Sequence, residues 1–246
     1  MTGQSGLSSQ PENSGLPWPD LIGGTLIRRY KRFMADVSLA SGGTVVTAHC
    51  PNSGSMKSCS EPGRPVYLSR STNPKRRLLY TWELIDMGSS LVGVNTGVPN
   101  RLVKQSILDG IIPELIGYDT VRAEVPCGTN SRLDLVLEGP ERSCFVEVKN
   151  CTLIDDNVAY FPDAVTTRGL KHLVELQQLV QSGHRGVMFF LVQRMDATSF
   201  RPADNIDPAY GLELRSAVRH GVEILCYDVS ITLRKISLNE RIACLL

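Results

Sequence analysis

The residues best suited to chemistry in this chain are Asp134, Glu147 and Lys149, spaced D-x12-E-x-K within SRLDLVLEGPERSCFVEVKN at 131–150. Apolar and polar residues alternate on both sides of Gly139-Pro140, so the stretch reads as a hairpin whose side chains point to opposite faces in turn. Leu133, Leu135 and Leu137 share one face of the first strand, and Arg132, Asp134 and Val136 the other. On the second strand Cys144, Val146 and Val148 go inward, while Phe145, Glu147 and Lys149 go the other way. Two carboxylates and an ammonium group then meet on adjacent strands, an arrangement that is costly without a metal or mutual pairing. Carboxylates completed by water suit a hard cation, Mg2+ or Mn2+. Such an ion lowers the pKa of a bound water and stabilises charge building on a phosphate oxygen. Asp134, Glu147 and the Val148 backbone carbonyl would hold it, and Lys149 would orient the water or steady the transition state. Glu114, near the end of the preceding helix, is the candidate for a further acid. A solvated hairpin face with a Glu–Lys cross-link is the plain alternative, since surface pairs are cheap and frequent.

The elements around this hairpin must place it. Helices are expected at 98–110, 166–181 and 207–220, and strands at 120–126, 131–138, 143–149, 186–193 and 221–228. The run GVMFFLVQ at 186–193 is apolar throughout, as a central strand covered on both faces would be. This order gives an α/β domain with a mixed sheet. On the 166–181 helix Leu170, Leu173, Val174, Leu176, Leu179 and Val180 form the apolar face. Arg168, Lys171, Glu175 and Gln178 lie opposite, with His172 at the edge. That helix either flanks the site, with Arg168 and Lys171 meeting phosphate and His172 and Glu175 as accessories, or is a solvated amphipathic helix. His172 at an edge is expected to be a hydrogen-bonding residue and not a ligand.

Before residue 90 the pattern is different. Short strands at 24–30, 33–40, 43–49, 65–70 and 79–86 are separated by turn residues, which predicts a small closed barrel of the OB type. Arg28, Arg29, Lys31 and Arg32, with Tyr30 and Phe33 among them, would neutralise phosphates and stack on bases; a charge-guarded edge strand is the alternative. Tyr67 and Trp82 serve as well for barrel core. The net charge of the chain is +1, yet residues 16–90 hold ten Lys/Arg against five Asp/Glu, and residues 91–246 sixteen against nineteen. A basic front domain on a slightly acidic second one is the distribution of a charge-segregated binding protein. HCPNSGSM at 49–56 reads as a tight, turn-rich loop near the barrel.

Residues 1–15 have neither a basic start nor an apolar stretch, so a disordered tail and not a secretory signal is expected there. No apolar run approaches the ~18 residues of a membrane span. Seven cysteines without a C-x-x-C pair argue against a zinc knot and for buried reduced thiols in a cytoplasmic protein, with a Cys50–Cys59 bridge as the alternative.

These motifs in this order resemble the sugar fermentation stimulation protein A (SfsA) family over nearly the whole chain after the tail. They are LIRRYKRFMADV, HCPNSGSM, TWEL, GVNTGVPNRLVKQ, SRLDLVL, FVEVKNCTL, YFPDAVTTRGLKHLVEL and GVEILCY. The resemblance implies an α+β, mixed architecture: an N-terminal OB-fold β-barrel at 16–90, then a PD-(D/E)XK, restriction-endonuclease-like α/β domain at 91–246. It also implies non-specific DNA binding and a link to control of sugar, especially maltose, metabolism. Asp134, Glu147 and Lys149 match the nuclease-like core, with Glu114 as the added acid; Arg168, His172 and Glu175 fall in the family's helix motif. Leu133 stands where the nuclease motif has proline. Three functions follow: a DNA-binding protein with a nuclease-like metal site, an active Mg2+- or Mn2+-dependent nuclease, and a catalytically silent regulator or scaffold. The partner expected is nucleic acid, DNA foremost, with no membrane and with a homo-oligomer left open.

Overall fold

The computed structural model describes residues 14–127 and 131–246. Most of the expected tail, residues 1–13, lies outside them, but Ser14 is already buried. The next residues join the far end of the chain and not the barrel. Strand β1 (Leu16–Pro17) pairs antiparallel with a C-terminal strand, Leu16 opposite Ile236. Trp18 Nε1 donates to Thr232 O at 2.9 Å.

The barrel is made by β2 (Leu21–Tyr30), β3 (Met34–Leu39), β4 (Val45–His49), β5 (Pro65–Arg70) and β6 (Tyr80–Asp86), the five strands expected. Their order is β4-β3-β2-β5-β6, and a short parallel pairing of β4 with β6 closes it. Inside are Leu26, Val37, Val66, Leu68, Trp82 and Ile85, so Trp82 belongs to the core. Gly24 lets β2 and β3 approach closely, since a Cβ there would lie 2.6 Å from Val37 Cγ1. A further strand, β7 (Leu91–Gly93), pairs with β6 beyond the expected boundary at residue 90. Gly93 N donates to Gln193 O at 2.8 Å, which ties the barrel to the second sheet.

That sheet follows α1 (Val98–Leu108) and a 3-10 turn at Pro113–Leu115. A meander of β8 (Thr120–Cys127), β9 (Ser131–Glu138) and β10 (Cys144–Cys151) leads to β11 (Leu153–Asp155) and β12 (Val158–Phe161). Then come α2 (Thr167–Gln181), β13 (Arg185–Val192), β14 (Ser199–Pro202), α3 (Pro208–Arg219), β15 (Glu223–Ile231), β16 (Lys235–Arg241) and β17 (Ala243–Cys244). The large sheet runs β1-β16-β15-β13-β10-β9-β8, with β10, β13 and β15 parallel and α2 and α3 as the crossovers. Along β13, Val187, Phe189 and Leu191 face the α1 side, while Met188, Phe190 and Val192 face α2 and α3. Burial on both faces is why this segment carries no polar alternation. β11, β12, β14 and β17 form a small second sheet that the sequence reading did not include.

One face assignment is corrected. Leu133 packs with Val136 in the α2–α3 core, and not with Leu135 and Leu137. The β9–β10 ladder ends at Leu135 opposite Val146, and the β8–β9 ladder skips Asp134, opposite Glu124 with its φ of 55°. Among the described residues no helix is long and apolar enough to cross a membrane.

Candidate functional site

The departure of β9 from β10 builds the site. Where the ladder stops, Asp134 Oδ2 accepts the Val148 main-chain N–H at 2.8 Å. Its Oδ1 accepts Asn100 Nδ2 at 2.7 Å, from the first turn of α1, whose start Pro99 favours. β10 meanwhile continues along β13, Glu147 opposite Met188 and Lys149 opposite Phe190. Thr166 caps α2 by accepting Gly169 N, and Leu173 and Leu176 seat the helix on the sheet. His172 is thereby laid over Glu147.

His172 Nδ1 is hydrogen-bonded to Glu147 Oε1. Lys149 Nζ donates to the same oxygen at 2.6 Å and lies 3.1 Å from His172 Nδ1. Arg168 Nε donates to His172 Nε2 at 3.4 Å. With Nε2 accepting from Arg168, Nδ1 is the ring nitrogen that faces the Glu147 carboxylate. Glu147 is 2% exposed, and its second oxygen, Oε2, is buried without a hydrogen-bond partner. Burial alone would raise the Glu147 pKa, but the His172 hydrogen bond and the Lys149 charge outweigh it and hold the carboxyl below its usual value. Burial, and then the Glu147 charge, push Asp134 the other way, up to about 6, against the Val148 and Asn100 hydrogen bonds.

The structure thus brings Asp134, Glu147, Val148 and Lys149 into one cleft of about 310 Å3, with Arg168 and His172 among its walls. Among the described residues no three His, Cys, Asp or Glu side chains form a ready ligand cluster. Two carboxylates, one with an orphaned oxygen, are donors of the kind that a hard cation completed by water takes.

Several expected residues lie elsewhere or act otherwise. Glu114 does not line the cleft: it accepts Tyr227 OH at 2.8 Å and pairs with Arg241 at 2.7 Å, because its turn packs over β15 and β16. His172 is buried and not at an edge, since it pairs with a buried acid that hydrophobic periodicity does not register. Exposed Lys171 pairs with Glu175 at 3.5 Å, away from the cleft. Arg28 pairs with Asp36 at 2.9 Å and lies 4.8 Å over the Tyr30 ring. Arg29 turns inward: its Nη2 donates to Asn52 O at 2.9 Å and Gly54 O at 2.8 Å, and Nη1 to Ser55 O at 3.3 Å. Lys31 and Arg32 stand exposed in a left-handed turn.

Asn100 and the 49–56 loop were not singled out as site residues. The loop is pinned by Arg29 on one side and Asp163 on the other, whose Oδ2 accepts Ser55 Oγ at 3.3 Å and Met56 N at 3.2 Å. It carries Ser53 into the wall of the cleft. The signal available was its turn chemistry, Asn52 Oδ1 accepting Gly54 N at 2.8 Å. Cys50 and Cys59 are free buried thiols.

A closed five-stranded barrel followed by a three-layer domain with D…E-x-K on its sheet defines an OB domain joined to a restriction-endonuclease-like domain. Family models match in that order: the SfsA N-terminal OB domain at residues 27–94 and the sugar fermentation stimulation protein RE domain at 97–235. The chain belongs to the sugar fermentation stimulation protein (SfsA) family. The sugar fermentation stimulation protein homolog of Geobacter sulfurreducens is 60% identical over 227 residues, covering 92% of this chain and 97% of that one. That of Geobacter metallireducens is 56% identical over 232 residues, covering 94% and 99%. The structure of Pyrococcus furiosus SfsA in complex with Ca2+ has the same fold, with a TM-score of 0.87 at 24% identity over 95% of this chain and 99% of that one.

Proposed function

We propose that the protein is a DNA-binding protein that holds a divalent cation, Mg2+ or Mn2+, between Asp134 and Glu147 and there engages a backbone phosphate. The observation that carries this is Glu147 Oε2, buried and unpartnered beside a second, half-buried carboxylate, Asp134. An orphaned anionic oxygen in such a place is costly unless a cation meets it. The Val148 carbonyl would be a third ligand; Glu114, committed to Tyr227 and Arg241, would not contribute. The Ca2+ bound by the Pyrococcus furiosus relative supports a site for oxygen-loving ions. Once bound, the ion supplies charge for a phosphoryl oxygen and acidifies a water. His172 holds Glu147 in place, Arg168 offers a guanidinium at the rim, and Lys31 and Arg32 extend the cationic surface from the barrel.

Mn2+ titration by calorimetry, with DNA binding followed with and without the ion, tests this. Wild-type protein should bind Mn2+ and bind DNA more tightly in its presence, and Glu147→Gln should abolish both effects. Ion-independent DNA binding with no Mn2+ uptake would refute it.

Hydrolysis is the second reading, favoured by Lys149 Nζ lying 2.6 Å from Glu147 Oε1, where an ammonium group can steady a phosphorane-like transition state. Labelled single-stranded and duplex DNA and RNA incubated with Mg2+ or Mn2+ should then be cut, and Lys149→Ala should remove the cutting. Binding without cutting would leave the regulator or scaffold role, to which the sugar-metabolism link of the family name belongs. Cys50, Cys59, Cys144, Cys151, Cys226 and Cys244 are free thiols, which supports a cytoplasmic setting.

A further inference from the structure

Beside the acidic cleft lies a second cavity, of about 350 Å3, between the barrel and the nuclease-like domain. The loop residues Asn52, Ser53 and Gly54 line it from the barrel side, Asn150 and Thr152 from β10, and the segment from Tyr160 to Thr166 from the far side. It shares Ser53, Thr96, Asn150 and Thr166 with the acidic cleft, so the two form one continuous groove. Its volume falls within the roughly 300–1,000 Å3 in which small organic ligands are held.

We propose that this cavity receives one unpaired nucleoside of the bound strand, so that the preferred ligand is single-stranded nucleic acid and not an intact duplex. The proposal rests on the assignment of the acidic cleft as a phosphate site. A phosphate held by that cleft has its own sugar and base within one nucleotide's reach, and the groove leads directly into the second cavity.

The lining suits a base. Asn150 accepts Gln193 Nε2 at 2.8 Å through Oδ1 and retains its amide donors. Asn52, 4% exposed, uses Oδ1 for Gly54 N and likewise retains donors. The Tyr160 ring and Val165, which is 72% exposed, supply apolar surface. Amide groups with an aromatic ring recognise the edge and face of a base, whereas a second phosphate site would call for several cations. Arg32 is the one cation of this lining, and the Asp163 carboxylate is engaged by Ser55 and Met56. Arg29 and Asp163 hold the loop on both sides, so the cavity is formed in advance and little ordering is needed on binding. A duplex would have to unstack and unpair a base to fill it, at a few kcal/mol; a single strand would not.

The test is fluorescence anisotropy on the full chain in Mn2+, using a labelled phosphorothioate oligodeoxynucleotide alone and annealed to its complement. Val165→Trp, at an exposed position, fills the cavity mouth without touching the acidic cleft. Mn2+ titration of the nucleic-acid-free protein is run beside it. The strand should bind roughly tenfold or more tighter than the duplex, the equivalent of one stacked base. Val165→Trp should remove that advantage and leave duplex and Mn2+ affinities unchanged. Equal or tighter duplex binding, or unchanged strand affinity in Val165→Trp, with normal Mn2+ uptake, overturns the nucleoside site alone. Absent Mn2+ uptake overturns the acidic cleft and this proposal together.

Discussion

Asp134 Oδ2 accepts the main-chain N–H of Val148 at 2.8 Å, on the strand that also carries Glu147. The carboxylate stands in for the main-chain ladder, which ends at Leu135 and Val146. The two acids are therefore held together by backbone geometry and not by side-chain rotamers alone. Asn100 completes the restraint on the other oxygen.

Replacing Asn100 by Ala should loosen that restraint. A hydrogen bond to a charged group contributes about 1.5–3 kcal/mol, and the loss should appear as a lower urea midpoint. The Asn100 donor also lowers the Asp134 pKa, so Asn100→Ala should move the pH profile of Mn2+ binding upward. An unchanged midpoint and profile would show that the Val148 N–H suffices.

The two carboxylates respond to pH in opposite directions. Asp134 titrates at about 6 in the folded protein against 3.8 unfolded, so the folded state holds its proton more tightly. Its contribution to stability is present below the unfolded value and is lost as pH rises through about 6. Glu147, held below 4.5, contributes stability above that value and loses it as pH falls. A cation binds deprotonated Asp134, so Mn2+ affinity should weaken about tenfold from pH ~8 to pH ~5. Mn2+ should correspondingly raise Tm more at the higher pH. Equal Tm shifts at both would remove Asp134 from the ligand set.

Arg29 should separate from its neighbours in binding experiments. If Lys31 and Arg32 meet phosphates, replacing either by Ala should flatten the salt dependence of DNA affinity by about one counterion. Arg29→Ala should leave the salt slope unchanged and lower Tm, because three loop carbonyls lose their donor. A flattened slope in Arg29→Ala with unchanged Tm would reverse this assignment.

Gly54 is a sharper probe of the loop. A Cβ there would lie 2.3 Å from Asp163 Oδ2, and Asp163 has little freedom while Ser55 and Met56 hold it. Gly54→Ala should destabilise the protein by about 1–3 kcal/mol, as overpacking does. It should also displace Ser53 from the cleft wall, which strand-binding assays would detect. A wild-type melting curve would mean that the loop yields.

The barrel strands and the parallel core strands were legible because their alternation, turn residues and apolar runs are local. Glu147 and Lys149 were legible for the same reason: strand periodicity along β10 sets their face, whereas Asp134 is placed where the β9 ladder is interrupted. Glu114 misled because its position was inferred from order along the chain, while its location is set by Tyr227 and Arg241, more than a hundred residues away. His172 was placed at an edge because a helix wheel weighs hydrophobicity and has no term for a buried acid beneath it. The small sheet of β11, β12, β14 and β17 escaped notice because its strands are two to four residues long. Leu133 changed cores because the ladder is interrupted at Asp134, which breaks the two-residue period.

The pairing of Leu16–Pro17 with β16 has a consequence for dissecting the molecule. From Leu16 the chain runs along the edge of the nuclease-like sheet, leaves to wind the barrel, and returns to complete the sheet. A fragment beginning at residue 91 would lack that outermost strand and expose the hydrogen-bonding groups of β16, an invitation to self-association. A fragment ending there would leave Leu16 and Trp18 without the surfaces they cover. The halves are interleaved like a stitch and its return, so reagents for separating their activities are point variants of the intact chain.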